Sequence, residues 1–147
     1  MERTPIAILL ADDDPDDRMM AEEALEESRV VNTLATVEDG EELLEYLRCD
    51  GRYADREPTL PGLILLDLNM PRMDGREALE AIKKDPRLRR IPVVVLTTSR
   101  AEEDIIKSYD LGVNSFISKP VTFDGLVSIM SELGRYWIEI VELPSAT

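Results

Sequence analysis

The chain has 147 residues, 44% of them hydrophobic and 33% charged, which is typical of one globular domain with its own core. Its formal net charge of −14 disfavours direct binding to nucleic acid or to anionic lipid, since both depend on lysine and arginine. The sequence contains no histidine, which excludes histidine-based general-base catalysis, histidine metal ligands and a phosphohistidine within the chain.

Short apolar runs alternate with amphipathic stretches along the whole chain. The apolar runs predict β-strands at residues 7–11, 33–37, 62–67, 92–97 and 114–118. Apolar residues at helical spacing predict helices at residues 15–28, 39–50, 75–84, 101–110 and 122–143. Runs such as LILL and VVVL are apolar on both faces, which is typical of parallel strands covered by helices on each side. The alternation therefore predicts one α/β domain with a doubly wound, five-stranded parallel sheet.

The second predicted helix contains Cys49, the one cysteine of the chain. Because a lone cysteine forms no intrachain disulfide, we expect a cytoplasmic protein in which Cys49 is a small hydrophobic residue of the helix. No stretch approaches the length of a transmembrane helix, and the N-terminal apolar run is too short for a signal peptide. Residues 48–61 form an unusually long connection, and we expect a surface loop there.

The opening run ADDDPDD divides into two groups of aspartates. Asp14 precedes Pro15, so we expect it to be the N-cap of the first helix with proline at the first helical position. Asp16 and Asp17 then lie in the first turn, where the helix dipole favours negative charge. Helix capping therefore explains these three residues, but it does not explain the two aspartates before them.

Polar residues stand at the carboxyl ends of several predicted strands, where open parallel sheets bind ligands. They are Asp12 and Asp13 after the first strand, Asp67 at the end of the third, Thr97 at the end of the fourth and Lys119 after the fifth. We expect them to converge on one shallow cleft. Three carboxylates with room for water suit Mg²⁺, for which Mn²⁺ is a substitute.

Asp67 begins the stretch DLNMPRMDG, and we expect an exposed carboxylate held at a fixed position and free to react. A carboxylate is a competent phosphoryl acceptor when a metal ion and a cationic side chain neutralise the transferring group. Thr97 can donate a hydrogen bond to a phosphoryl oxygen, and Lys119 can supply positive charge.

The motifs LLADDD, LILLDLNMPRMDG, VVVLTTS and SFISKP together resemble the response-regulator receiver domain of two-component signalling, from about Ile6 to the final helix. The resemblance implies a flavodoxin-like, CheY-like (βα)5 fold with strand order 2-1-3-4-5. It implies that Asp67 is the phosphoacceptor, that Asp13 binds Mg²⁺ directly, that Asp12 acts mainly through water, and that the backbone carbonyl of Asn69 completes the protein ligands.

The resemblance also assigns the residues around the phosphoryl group. It implies that Thr97 and Lys119 contact this group and that Pro120 follows a cis peptide bond. Thr97 would move toward the phosphoryl group on phosphorylation, and Phe116 on the fifth strand would fill the space that it leaves. Phenylalanine lacks the hydroxyl of the commoner tyrosine, so we expect this switch to work by packing.

The final helix carries more apolar side chains than one helix of a small sheet can bury. We expect a core up to about residue 133 and an extension over residues 134–147 that forms a homodimer. Its predicted interface residues are Tyr136, Trp137, Ile140, Val141 and Leu143. This ending and the long loop resemble the single-domain receivers that partner bacterial and cyanobacterial phytochromes. The resemblance implies a phytochrome-type histidine kinase as partner, no output domain, and no enzymatic activity beyond the protein's own phosphorylation and dephosphorylation.

Three other interpretations fit parts of the sequence. A haloacid-dehalogenase-like phosphatase also forms an aspartyl phosphate, but its nucleophile lies in a D-x-D motif on the first strand, whereas DLN lies on the third strand here. A flavodoxin-like cofactor binder shares the fold, but an acidic cleft repels a phosphate that no metal bridges. A receiver-like adaptor would bind partners without being phosphorylated, and metal-dependent phosphoryl uptake distinguishes it.

Overall fold

Five parallel strands form one sheet, and the helices lie on both of its faces. The computed structural model describes residues 6–28, 32–56, 60–68, 70, 73, 75–97, 115–118, 124–125, 127–128 and 131. The strands are β1 (Ile6–Ala11), β2 (Asn32–Val37), β3 (Leu63–Asp67), β4 (Val93–Thr97) and β5 (Ser115–Ser118). All neighbouring pairs are parallel, and the spatial order is β2-β1-β3-β4-β5. This order confirms the predicted topology, with the switch point between β1 and β3.

The first three helices overlap the ranges that the sequence predicts for them. They are α1 (Pro15–Ser28), α2 (Gly40–Arg48) and α3 (Gly75–Lys84). Residues 101–110 lie outside the described residues, and of the last predicted helix the structure describes residues 124–125, 127–128 and 131, which are helical. None of the helices within the described ranges is long and apolar enough to cross a membrane.

The predicted bounds of α2 were wrong at both ends. Asp39 is the N-cap: its backbone is extended, and its carboxylate accepts a hydrogen bond of 2.8 Å from the N–H of Glu42. Cys49 is the C-cap in the left-handed conformation, at φ 56°, so it lies just beyond the helix rather than within it. Asp39 and Cys49 thus bond backbone groups at the two ends of α2 and lie outside its regular turns.

The strands sort their side chains between two apolar clusters, because successive residues point to opposite faces. On one face, α1 packs with Ala21, Ala24 and Leu25 against Ile8, Leu10, Leu63, Leu65, Val94 and Leu96. On the other face, α2 and α3 pack against Leu9, Ala11, Ile64, Leu66, Val93 and Val95. All five residues of β3 are buried, as expected of a central parallel strand. The core thus holds the end of β3 rigidly.

Residues 49–56, which follow α2, pack against that helix. They include a single turn of 3₁₀ helix, Gly51–Tyr53. The ring of Tyr53 meets the ring of Tyr46 edge-on at 5.1 Å between centroids. The guanidinium of Arg56 lies 3.8 Å from the centroid of Tyr46. The prediction of a surface loop was therefore right about the location but missed the 3₁₀ turn and its contacts.

Candidate functional site

The register of the sheet brings the acidic ends of β1 and β3 side by side. Ala11 is paired with Leu66, so Asp12 and Asp67 occupy the next position along neighbouring strands. The N–H of Asp12 donates to the carbonyl of Val37 at 3.0 Å, which extends the pairing of β1 with β2 by one residue. The backbone pairing thus places Asp12 and Asp67 side by side at the edge of the sheet where the sequence predicts them.

The acidic edge, as we call Asp12, Asp13 and Asp67, is a group of three carboxylates at this end of the sheet. One carboxylate oxygen from each residue lies within 4.8 Å of the others. Asp12 and Asp67 are 1% and 2% exposed, and Asp13 is exposed to solvent. Like charges at this separation repel, and two of them have little access to water, so the arrangement fits a divalent cation bound through oxygen.

The expectation that Asp67 is exposed was wrong. It ends the central strand of the sheet, where the neighbouring strands β1 and β4 flank it on both sides. Gly75, the first residue of α3, also lies close to the backbone of Asp67. A Cβ on Gly75 would overlap the carbonyl oxygen of Asp67 and would lie 2.6 Å from the Cα of Leu68. The N–H of Gly75 donates to the carbonyl of Leu68 at 3.0 Å, so only glycine fits this close approach.

The turn between β1 and α1 holds the acidic edge from its other side. The N–H of Asp14 donates to Asp12 Oδ1 at 3.0 Å, and the N–H of Asp16 donates to Asp14 Oδ1 at 2.9 Å. The second bond confirms that Asp14 caps α1, with Pro15 as its first residue. Asp16 and Asp17 lie in the first turn of the helix, as predicted.

Arg18 is a residue of this site that the sequence analysis missed. Its Nη1 donates to the backbone carbonyl of Asp12 at 2.8 Å, and its Nη2 donates to Glu38 Oε1 at 3.2 Å. The side chain is 16% exposed. The signal in the sequence was one arginine directly after the acidic run, although nothing local indicated that it turns back to the loop before its own helix.

A second cluster, which we call the α2 corner, consists of the carboxylates of Glu42 and Glu45 together with Arg52 and Tyr53. The hydroxyl of Tyr53 donates to the carboxylate of Glu42, which also accepts from the N–H of Glu38 at 2.8 Å. The guanidinium of Arg52 bonds Glu45 at 2.8 Å. Burial and the hydrogen bond to Glu42 raise the pKa of Tyr53 to about 12. The sequence signal for Glu42 was the D-x-x-E pattern that it forms with Asp39, since this pattern is typical of a capping box at the start of a helix.

Several predicted site residues are described only in part or not at all. The backbone of Thr97 ends β4 and pairs with Ser118, and the backbone of Phe116 pairs with Val95. Thr97 and Phe116 thus lie on neighbouring strands, and their roles in the switch stay predictions. The predicted site residues that lie outside the described part of the chain are Asn69, Lys119, Pro120, Tyr136, Trp137, Ile140, Val141 and Leu143.

Comparisons with known proteins agree with this geometry. The model of the response regulator receiver domain matches residues 8–131. Response regulator Rcp1 of Synechocystis sp. is 42% identical over 142 residues, which are 97% of this chain and 95% of that protein. The crystal structure of the phosphorylated cyanobacterial phytochrome response regulator RcpA is 46% identical, with a TM-score of 0.79 over 92% of this chain and 96% of that chain. The Mn²⁺-bound form of Rcp1 is 41% identical, with a TM-score of 0.78 over 93% and 97%.

Proposed function

Because the chain belongs to the response-regulator receiver family, we propose that it accepts a phosphoryl group on Asp67 and transmits a two-component signal through contacts with other proteins. The observation that carries this proposal is the acidic edge, in which a buried carboxylate at the end of β3 lies beside two others. The family places its phosphoacceptor at the end of the third strand, whereas a haloacid-dehalogenase-like phosphatase would carry its nucleophile on the first.

The proposed reaction is transfer of a phosphoryl group between two nucleophiles. A carboxylate oxygen of Asp67 forms a bond to phosphorus, while the bond from phosphorus to the donor breaks and the donor keeps its electron pair. The donor is a phosphohistidine of the kinase or a small acyl phosphate. The core packing around β3 and the close approach of Gly75 hold Asp67 in position for this attack.

Asp12, Asp13, Asp67 and the backbone carbonyl of Asn69 would hold Mg²⁺, with Mn²⁺ as a substitute. The bound ion supplies positive charge that offsets the charge of the phosphoryl oxygens. Thr97 and Lys119 would contact the same oxygens from the ends of the two neighbouring strands. The residues of the acidic edge suit such an ion, since each offers a carboxylate oxygen within 4.8 Å of the others.

The proposed partner is a histidine kinase of the phytochrome type. Support comes from RcpA, a phytochrome response regulator that is similar over 92% of this chain. We further propose a single receiver domain over residues 1–147 that acts in the cytoplasm, has no separate substrate of its own, and dimerises through residues 134–147. The apolar surplus of this last segment and the single cysteine support these points.

The test is phosphoryl uptake from acetyl phosphate with Mg²⁺ or with EDTA, followed by peptide mapping with mass spectrometry. We expect one labile phosphoryl group on the peptide that contains Asp67, only when Mg²⁺ is present. Asp67→Asn should abolish uptake, because the amide is not a nucleophile for phosphorus. Asp16→Asn is the matched control: it removes one acid of the α1 turn and should leave uptake unchanged.

Uptake by Asp67→Asn, or a phosphoryl group on another residue, would contradict the assignment of Asp67. Absence of uptake by the unaltered protein would favour the receiver-like adaptor instead. The kinase proposal has its own test, which compares transfer from a phosphorylated phytochrome-type kinase with transfer from an unrelated histidine kinase. Faster transfer from the phytochrome-type kinase is the expected result, and equal or slower transfer would refute that partnership.

A further inference from the structure

Arg18 connects the acidic edge to the loop that follows β2. It lies in the first half of α1, and its guanidinium reaches back past the start of the helix. One nitrogen, Nη1, donates to the carbonyl oxygen of Asp12 at 2.8 Å. The other, Nη2, donates to Glu38 Oε1 at 3.2 Å. Since the side chain is 16% exposed, it has few alternative conformations in solvent.

The contact to Asp12 is made to the backbone and not to the carboxylate. The carbonyl of Asp12 belongs to the planar peptide unit that also contains the N–H and Cα of Asp13. The residue is held at two further points, because its N–H bonds Val37 at 3.0 Å and its Oδ1 accepts from Asp14 at 3.0 Å. With the carbonyl bonded by Arg18, the orientation of the peptide leading to Asp13 is determined.

We propose that Arg18 is a positioning residue of the metal site, which orients the peptide between Asp12 and Asp13 so that both carboxylates face Asp67. This inference rests on the proposed function, because it concerns the cation that the acidic edge would bind. Asp13 depends most on such support. It is the exposed member of the acidic edge, and packing restrains it least.

The guanidinium fork suits this task better than an ammonium group would. Its two terminal nitrogens bond acceptors on separate loops, whereas a lysine ammonium is a single point charge on a flexible stem. Glu38 anchors the second branch, and its own N–H donates to Glu42 at 2.8 Å. The positioning effect therefore depends on the shape of the side chain as well as on its charge.

A purely electrostatic role of Arg18 would have the opposite effect on Mg²⁺ binding. A positive charge beside three carboxylates opposes the binding of another cation, so its removal alone would tighten Mg²⁺ binding. If Arg18 acts only by charge, Arg18→Lys should bind Mg²⁺ as the unaltered protein does, and Arg18→Gln should bind it more tightly. If Arg18 acts by position, both variants should bind Mg²⁺ more weakly.

The experiment is calorimetric titration of the full chain with Mg²⁺, together with the free energy of unfolding of each variant in EDTA. We expect Arg18→Lys to weaken Mg²⁺ binding about tenfold, as is common when an outer contact of a metal ligand is lost. Arg48→Lys is the matched control, since Arg48 lies on α2, away from the acidic edge, and pairs with Asp85 at 3.7 Å. It should bind Mg²⁺ as the unaltered protein does.

Weaker Mg²⁺ binding by Arg18→Lys, with unfolding in EDTA close to that of the unaltered protein, would support positioning. Unchanged or tighter binding would overturn it. If Arg18→Lys does not fold, Arg18→Gln decides, because the loss of its charge alone would tighten Mg²⁺ binding. Weaker Mg²⁺ binding by that variant supports the proposal, and unchanged or tighter binding refutes it. Failure of the unaltered protein to bind Mg²⁺ would instead refute the proposed metal site itself.

Discussion

Carboxylates gather in two regions of this molecule, and the two regions treat them in different ways. At the α2 corner, each glutamate faces donors: Tyr53 and a backbone N–H for Glu42, and Arg52 for Glu45. At the acidic edge, three aspartates bring their oxygens within 4.8 Å of one another, and two of them are buried. The corner pairs its glutamates with donors of the chain, whereas the edge brings three carboxylates close enough together to share one cation. Clustered acids therefore indicate a binding site only when their neighbours are other acids.

The same glycine-to-alanine change should affect phosphoryl uptake in only one of the two regions. At the acidic edge, Gly75→Ala places a Cβ against the backbone of Asp67 and Leu68, which side-chain rotation cannot relieve. We expect a loss of about 1–3 kcal/mol in the free energy of unfolding, as for other overpacked sites. Because the carbonyl of Asp67 must move, phosphoryl uptake should fall as well. Denaturant unfolding and acetyl phosphate labelling measure the two effects.

Gly51→Ala is the control at the α2 corner. Gly51 has φ 53°, and an added Cβ would lie 2.6 Å from Glu45 Oε2, the mobile end of a side chain. The left-handed backbone should cost about 1–2 kcal/mol with alanine, without any effect on phosphoryl uptake. A loss of uptake in Gly51→Ala equal to that in Gly75→Ala would remove the distinction between the two regions.

Tyr53→Phe tests whether the α2 corner is stabilised from within. The change leaves the carboxylate of Glu42, which is 8% exposed, without the phenol that donates to it. We expect a loss of about 2 kcal/mol in the free energy of unfolding. Tyr46→Phe is the matched control, because the contacts of Tyr46 use its ring and its backbone carbonyl. An equal loss in both variants would contradict the assigned role of the Tyr53 hydroxyl.

The effect of Tyr53 should also depend on pH. In the folded chain the pKa of Tyr53 is raised to about 12 from its ordinary value of 10. The unfolded chain therefore loses this proton first, and the stability that Tyr53 contributes is complete below pH 10 and is lost as the pH rises toward 12. The difference in unfolding free energy between the unaltered protein and Tyr53→Phe should shrink over this range. A difference that stays constant would argue against the raised pKa.

The sequence predicted those features that depend on chain periodicity and on strand ends. The apolar runs located all five strands, and the strand ends placed Asp12 and Asp67 together, because parallel strands in register end at one edge. The predicted bounds of α2 were wrong, since Asp39 and Cys49 cap the helix from outside it. Capping residues fit a helical pattern almost as well as helical ones do.

Contacts that a long side chain makes outside its own helix or turn could not be predicted. Nothing in the sequence indicates that Arg18 turns back to the carbonyl of Asp12, or that Tyr53 reaches the carboxylate of Glu42. The burial of Asp67 was missed for a related reason. A strand-ending acid before a loop suggests exposure, and only the packed sheet shows that its neighbours enclose it. Contacts between different elements of the fold decide these points.

We expect the acidic edge to serve the binding of a cation rather than the stability of the chain. The most direct measurement is the free energy of unfolding of the unaltered protein and of Asp13→Asn, in EDTA and in excess Mg²⁺. In EDTA, Asp13→Asn should be the more stable by on the order of 1 kcal/mol, because one of three repelling charges is gone. Asp55→Asn, an exposed acid beyond α2, controls for the change in net charge.

In Mg²⁺ at ten times its dissociation constant, the unaltered protein should gain about 1.4 kcal/mol, since only the folded chain holds the ion. Asp13→Asn should gain less, so that the difference in unfolding free energy between the two proteins narrows or changes sign. If Asp13→Asn is instead the less stable in EDTA and gains as much from Mg²⁺ as the unaltered protein, the acidic edge is a structural feature, and the account of it as a metal-dependent phosphoacceptor site is wrong.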